Sequence, residues 1–182
     1  MKQLGETDLK RLHRTWRRKD HFRLALMLEN LQSPFNVGAI ARTAAAMGAE
    51  ALYLAGSAVD VRSAAAQKAA MGSDRFLRTE RLETTAEAVA RARADGFLVV
   101  ALELADAAVP LPEVDLARDV CLVLGHEDRG VSAACLLDCD VVAFVPQLGK
   151  IGSLNVASAA AVGCYEVRRQ GFAAGDAPST AD

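Results

Sequence analysis

The stretch VVAFVPQLGKIGSLNVASAAAVGCYEVRR, Val141 to Arg169, decides how the fold is read. An apolar, β-branched run from Val141 to Val145 stops at Pro146. A loop carrying Gly149 and Gly152 follows, and Ser153-Leu154-Asn155 opens an alanine-rich helix. A strand end, a loop and a helix start therefore converge. That geometry suits a ligand, because glycines let backbone approach closely and the first helical N–H groups are unpaired donors.

The same strand-then-helix pattern recurs upstream. Phe22 to Glu29 reads as a buried strand, broken by the segment through Ser33-Pro34. A helix then runs from Asn36, placed to cap it, to about Met47. Ala51 to Ala55 is a second strand, Val61 to Ala70 an alanine-rich helix ending near Gly72, and Arg75 to Arg78 a short edge strand. Thr84 or Thr85 caps the next helix, which Gly96 ends. Phe97 to Leu102 and Val120 to Leu124 are further buried strands, joined through a connection marked by Pro110 and Pro112, and Ser132 begins a short helix. Repeated strand, helix, strand order predicts an α/β protein with a parallel sheet and crossover helices. The expected organisation is a basic extension over 1–20, one domain over 21–170, and a tail over 171–182 too poor in apolar residues to pack.

With 182 residues, 52% of them hydrophobic, the chain is long enough to bury a core without staples. Its net charge of −2 gives no general attraction to nucleic acid, but the charge is unevenly distributed. Lys10, Arg11, Arg14, Arg17, Arg18, Lys19 and Arg23 crowd one segment, opposed between positions 10 and 23 only by Asp20. A short helix over Thr7 to Lys19, with Thr7 as candidate cap, has two readings. Arg11, Arg14, Arg17, Arg18 and Lys19 beside Trp16 form an RNA-contacting arm, or the helix packs Leu9, Leu12 and Trp16 on the body. The four cysteines show neither CxxC pairing nor a histidine at ligand spacing, so no metal site is expected and a reducing compartment is. No signal peptide or membrane-spanning run is visible, which makes the cytoplasm the default location.

No GxGxxG follows a strand, and no Walker A sequence is present. Parallel sheets nonetheless bind ligands at the carboxyl ends of their strands. Polar and glycine residues gather at two such ends, Leu124-Gly125-His126-Glu127 and Val145 through Asn155.

Three blocks, Asn36-Val-Gly-Ala-Ile-Ala-Arg42, Leu122-Val-Leu-Gly-His-Glu127-x-x-Gly130, and Val145-Pro146-x-x-Gly149 with Ser153-Leu-Asn155-Val-Ala157, resemble in order the three motifs of the SpoU (TrmH) family of RNA 2′-O-ribose methyltransferases. The resemblance spans nearly the whole chain. It implies a SPOUT fold whose C-terminal segment forms a deep trefoil knot, which connection rules alone would exclude. It also implies methyl transfer from S-adenosylmethionine to a ribose 2′-hydroxyl of tRNA or rRNA, and a homodimer with the knotted region and C-terminal helix at its interface. In that contact Ala157, Ala160, Ala161, Cys164 and Tyr165 are candidates, though they equally suit packing on the sheet.

Carried over by position, the resemblance makes Gly125, Val145 and Leu154 part of the cofactor site, with Leu102 and Glu103 facing it from another strand end. Arg42 matches the catalytic arginine. Guanidinium is a poor base at neutral pH, so Arg42 is expected to hold a substrate phosphate and stabilise charge on the 2′-oxygen. Asn36, Glu127, Ser153 and Asn155 match the remaining polar positions. Glu127 is further expected to orient Arg42 as a bidentate pair, while Asn36 and Ser153 also suit helix caps and Asn155 a buried amide. His126 stands where the family more often carries a small polar or amide residue and Asp128 where glycine is common, so the resemblance does not fix the shape of the substrate pocket. The rival reading is a non-catalytic RNA-binding protein on the same scaffold.

Overall fold

The computed structural model describes residues 2–175. Seven strands form one sheet: β1 (Leu24–Glu29), β2 (Ala51–Ala55), β3 (Arg78–Leu82), β4 (Leu98–Leu102), β5 (Val109–Pro110), β6 (Val120–Leu124) and β7 (Val141–Phe144). Their order is β3-β2-β1-β6-β4-β7-β5, and every pairing is parallel. The expected parallel α/β architecture is what the chain adopts. Six helices accompany the sheet: α1 (Glu6–Arg17), α2 (Pro34–Ala46), α3 (Ala64–Ala70), α4 (Thr85–Ala94), α5 (Ala133–Asp138) and α6 (Val156–Gly175).

Alternation along β1 divides the core into two. Leu24, Leu26 and Leu28 pack with Val37, Ile40 and Ala44 of α2, Ala66 and Ala70 of α3, and Ala160, Cys164 and Val167 of α6. Ala25 and Met27 point the other way, toward Ala88, Val89 and Ala92 of α4 and Cys135 of α5. Strands β1, β2 and β6 are buried along their whole length, which explains why they read as continuous apolar runs.

Several local expectations are corrected. Helix α2 starts earlier than Asn36: Ser33 is its N-cap, accepting the Asn36 N–H, and Pro34 occupies the first turn, where a missing N–H costs nothing. The cap of α1 is Gly5 rather than Thr7. Residues Ser73–Phe76 form a 3₁₀ turn, so the edge strand begins at Arg78. Thr84 caps α4 in a reciprocal box with Glu87. Helix α6 continues through Gly175 with Gly171 buried, so the first five residues read as a tail are helical, and 176–182 lie outside the described residues. Ala160 and Cys164 face the sheet, fully buried, whereas Val162 and Tyr165 are exposed.

Two contacts anchor the ends of the chain to each other. Arg168, buried on α6, donates to the Asp20 carboxylate and to the carbonyls of Phe22, Met47 and Gly48. Phe172 of α6 meets Trp16 of α1, ring centroids 4.9 Å apart. Helix α1 has no buried residue, and Leu9 and Leu12 each stay 42% exposed, so Trp16 gives it its aromatic foothold. Among the described residues, no helix is long and apolar enough to cross a membrane.

Candidate active site

The carboxyl ends of β4, β6 and β7, neighbours in the sheet, open into a cavity of about 320 Å³. This is the crevice where parallel sheets receive ligands. Its wall includes Leu102 and Glu103 after β4, Gly125 to Gly130 after β6, and Val145, Ser153 and Leu154 after β7. All five residues expected to meet a cofactor (Gly125, Val145, Leu154, Leu102 and Glu103) therefore share one pocket.

The β6 side of the pocket is tightly built. His126 and Gly130 exchange two backbone hydrogen bonds, of 3.0 and 2.8 Å, closing a small hairpin. A side chain at Gly125 would run into the backbone of Gly130 and Val131. Gly130 has φ +66° and leaves no room for a Cβ beside the Glu103 carboxylate. Glu103 in turn accepts the Val131 N–H at 2.7 Å, tying the end of β4 to the hairpin. His126 is turned onto its own loop, where Nδ1 accepts the Asp128 N–H at 3.1 Å.

At the edge of the pocket, Glu127 ties the second motif segment to the start of α2. Its carboxylate accepts the Gln32 N–H at 3.1 Å, the Ser33 N–H at 2.9 Å and the Asn36 Nδ2 at 3.0 Å. An anion thus sits at the N-terminus of α2, where the helix dipole favours it. Burial pushes the Glu127 carboxyl upward, but the Asn36 amide and the backbone N–H groups of Gln32, Glu127 itself and Ser33 outweigh it, leaving the group below its ordinary value. Asn36 is 7% exposed, and its Oδ1 accepts Asn155 Nδ2 at 3.2 Å. Asn155 completes the chain by capping α6, accepting the N–H groups of Ala157 and Ser158. The cap lies two residues beyond Ser153, which is exposed on the loop and lines the pocket.

Arg42 stands apart from this cluster. It is exposed on α2, six residues or about 9 Å along the axis from Asn36, with its guanidinium against the Met71 sulfur. The expected bidentate pair with Glu127 is not formed, because α2 turns Arg42 away while three donors from its own N-terminus occupy the carboxylate. Among the described residues, no cluster of three or more His, Cys, Asp or Glu side chains is arranged to hold a metal.

Two further residues belong to this framework without a motif to mark them: Gln32, whose N–H helps fix Glu127, and Glu29. The Glu29 carboxylate, 1% exposed at the end of β1, accepts from Thr85 Oγ1 and from the N–H and hydroxyl of Ser132, holding the starts of α4 and α5. Its signal was a lone acid ending an apolar run, LALMLE.

Comparison with known proteins is consistent along the chain. The profile described as the SpoU rRNA Methylase family matches residues 23–165. The tRNA (guanosine(18)-2′-O)-methyltransferase of Escherichia coli K12 is 34% identical over 147 residues, covering 81% of this chain and 63% of the relative. A 23S rRNA (guanosine-2′-O-)-methyltransferase of Acinetobacter baylyi is 33% identical, covering 81% and 60%. The crystal structure of the SpoU methyltransferase AviRb from Streptomyces viridochromogenes in complex with AdoMet superposes with TM-score 0.75 at 31% identity, covering 85% of this chain and 62% of the other. The chain thus spans less than two thirds of each of these relatives.

Proposed function

The chain belongs to the SpoU rRNA methylase family, and from that membership we propose that it transfers a methyl group from S-adenosylmethionine to a ribose 2′-hydroxyl of tRNA or rRNA, releasing S-adenosylhomocysteine. The observation that carries this reading is the hydrogen-bonded chain Glu127, Asn36, Asn155, which joins all three motif segments beside a pocket lined by the second and third.

The pocket's chemistry fits the cofactor. A volume of about 320 Å³ lies within the range of small-ligand sites. Leu102, Phe144, Val145 and Leu154 offer apolar surface for an adenine, and the carboxylates Glu103 and Asp128 favour a cationic ligand. When bound, S-adenosylmethionine supplies an electrophilic methyl group. Gly125 and Val145 hold the cofactor through backbone groups, and Leu154 covers it from the exposed loop. Glu127, Asn36 and Asn155 fix the starts of α2 and α6 against the pocket, so that Ser153 faces the ribose. Arg42, the position matched to the family's catalytic arginine, is assigned the substrate phosphate and the charge developing on the 2′-oxygen, although its side chain lies outside the pocket. To reach them its guanidinium leaves Met71.

The basic side chains Arg11, Arg14, Arg17, Arg18 and Lys19 extend the RNA contact to α1, a role supported by the exposure of that helix. The fold reading includes the C-terminal trefoil knot, supported by the central place of β6 and the return of α6 across it after β7. It also includes a homodimer, supported by the exposed apolar side chains Val162 and Tyr165 on α6 and Leu148 and Ile151 in the preceding loop. Its location is the cytoplasm, where the RNA substrates are.

The direct test incubates the chain with methyl-labelled S-adenosylmethionine and unmodified tRNA or rRNA and maps label to nuclease-resistant dinucleotides. Label there, lost in Arg42→Ala, is expected. RNA binding without transfer would leave the non-catalytic reading instead.

A further inference from the structure

Helix α3 ends in two consecutive left-handed residues, Met71 at φ +52° and Gly72 at φ +74°. A left-handed methionine is an uncommon conformation. The turn carries the chain into the 3₁₀ segment Ser73–Phe76 and leaves two large apolar side chains in solvent, Met71 at 71% and Phe76 at 65% exposure. Cations surround them. The Arg42 guanidinium lies on the Met71 sulfur, the Arg75 guanidinium sits 4.8 Å from the centre of the Phe76 ring, and Lys68 is exposed on α3. Only Asp74, half-buried, opposes them between positions 68 and 76.

An exposed ring with a guanidinium on its face, in a segment whose neighbours carry further cations, matches the chemistry of an unpaired nucleotide: π-surface for the base and positive charge for its phosphates. A second copy of this chain fits less well, since a twofold contact would set the same cations against one another. We propose that this corner is a second RNA contact, where an unpaired base stacks on Phe76 while Lys68, Arg75 and Arg42 hold the neighbouring phosphates. The RNA then runs from the pocket over α2 to α3. The inference rests on the RNA reading above, and Arg42 links the two places.

The test uses the full chain in three parallel measurements: affinity for unfractionated tRNA, or for rRNA where tRNA does not bind, across a salt series; affinity for S-adenosylmethionine by calorimetry; and mass by sedimentation. Phe76→Ala is expected to weaken RNA binding about tenfold, with Phe76→Tyr restoring it. Lys68→Ala with Arg75→Ala is expected to lower the slope of log affinity against log salt by about 0.7 to 0.9 for each phosphate no longer neutralised. Cofactor affinity stays unchanged in all three. Undiminished RNA binding by Phe76→Ala overturns the inference while leaving methyl transfer standing, as does a change confined to sedimentation mass, which would make the corner a self-contact. Phe76-dependent RNA binding by a wild-type protein that takes no cofactor upholds the corner and overturns methyl transfer. A wild-type protein that binds neither tRNA nor rRNA overturns both.

Discussion

Two glycine loops face each other across the pocket and are built in opposite ways. In the β6 loop, Gly125 and Gly130 are forced by geometry: neither has space for a Cβ, and the hairpin between them is closed by paired backbone bonds and by Glu103. In the β7 loop, every residue from Pro146 to Asn155 is exposed, and a Cβ at Gly149 or Gly152 would meet nothing within 4 Å. The first wall is complete within the chain. The second is held at its far end by the Asn155 cap and leaves Leu154, 41% exposed, to be covered by whatever enters. The pocket therefore pairs a preorganised floor with a side that is exposed along its length, and ordering such a segment on binding lowers affinity by the entropy of fixing it.

Substitutions at the glycines sharpen that contrast most. Gly125→Ala forces the hairpin off the strand end and is expected to cost about 3 kcal/mol in urea unfolding, with cofactor binding lost. Glu127→Gln removes the anion that three donors share and is expected to cost about 1.5 kcal/mol at neutral pH. Because the folded Glu127 carboxyl lies below its ordinary value of 4.5, its charge stabilises the fold fully above that value, and the contribution fades as pH falls through the lower folded value. The gap in stability between wild type and Glu127→Gln is therefore expected to narrow in acid; unfolding curves from pH 7 to pH 3 that keep the gap constant would contradict the assignment. Asn155→Ala loses the α6 cap, about 1 kcal/mol, whereas Asn155→Asp keeps the cap and gives up only the bond to Asn36. Gly149→Ala and Gly152→Ala are expected to change stability by less than about 0.5 kcal/mol. A large loss at either would show that the β7 loop is as tightly built as its neighbour.

What the sequence disclosed follows from where information is local. Strands β2 and β6 matched their apolar runs, because they are buried on both faces and bounded by polar residues. Edge strand β3 was displaced: RTERL carries no apolar run, and β5 is two residues long, one of them Pro110. Asn36 looked like a cap because Ser33-Pro34 read as a break, yet Pro34 is tolerated in the first turn and Ser33 does the capping. The pocket residues were legible through the family resemblance: Gly125 and Val145 follow strand ends that the chain order defines, and Leu154 lies just before the start of α6. Partnership within the site was not. Glu127 and Arg42 are both polar motif residues, and only the direction in which α2 leaves β1 decides that Asn36 reaches Glu127 while Arg42 turns outward. Gly125 likewise carries two meanings, a ligand-facing backbone and a close approach to Gly130, which sequence cannot separate.

Everything proposed for the pocket depends on one occupant: the floor formed by Gly125 and Val145, closed over by Leu154, holds S-adenosylmethionine. Titrating the cofactor into the folded, RNA-free chain by calorimetry tests it most directly. Saturable binding at one site per chain, abolished by Gly125→Ala and weakened by Leu154→Ala, is the predicted result; absence of binding by folded wild-type protein would contradict it.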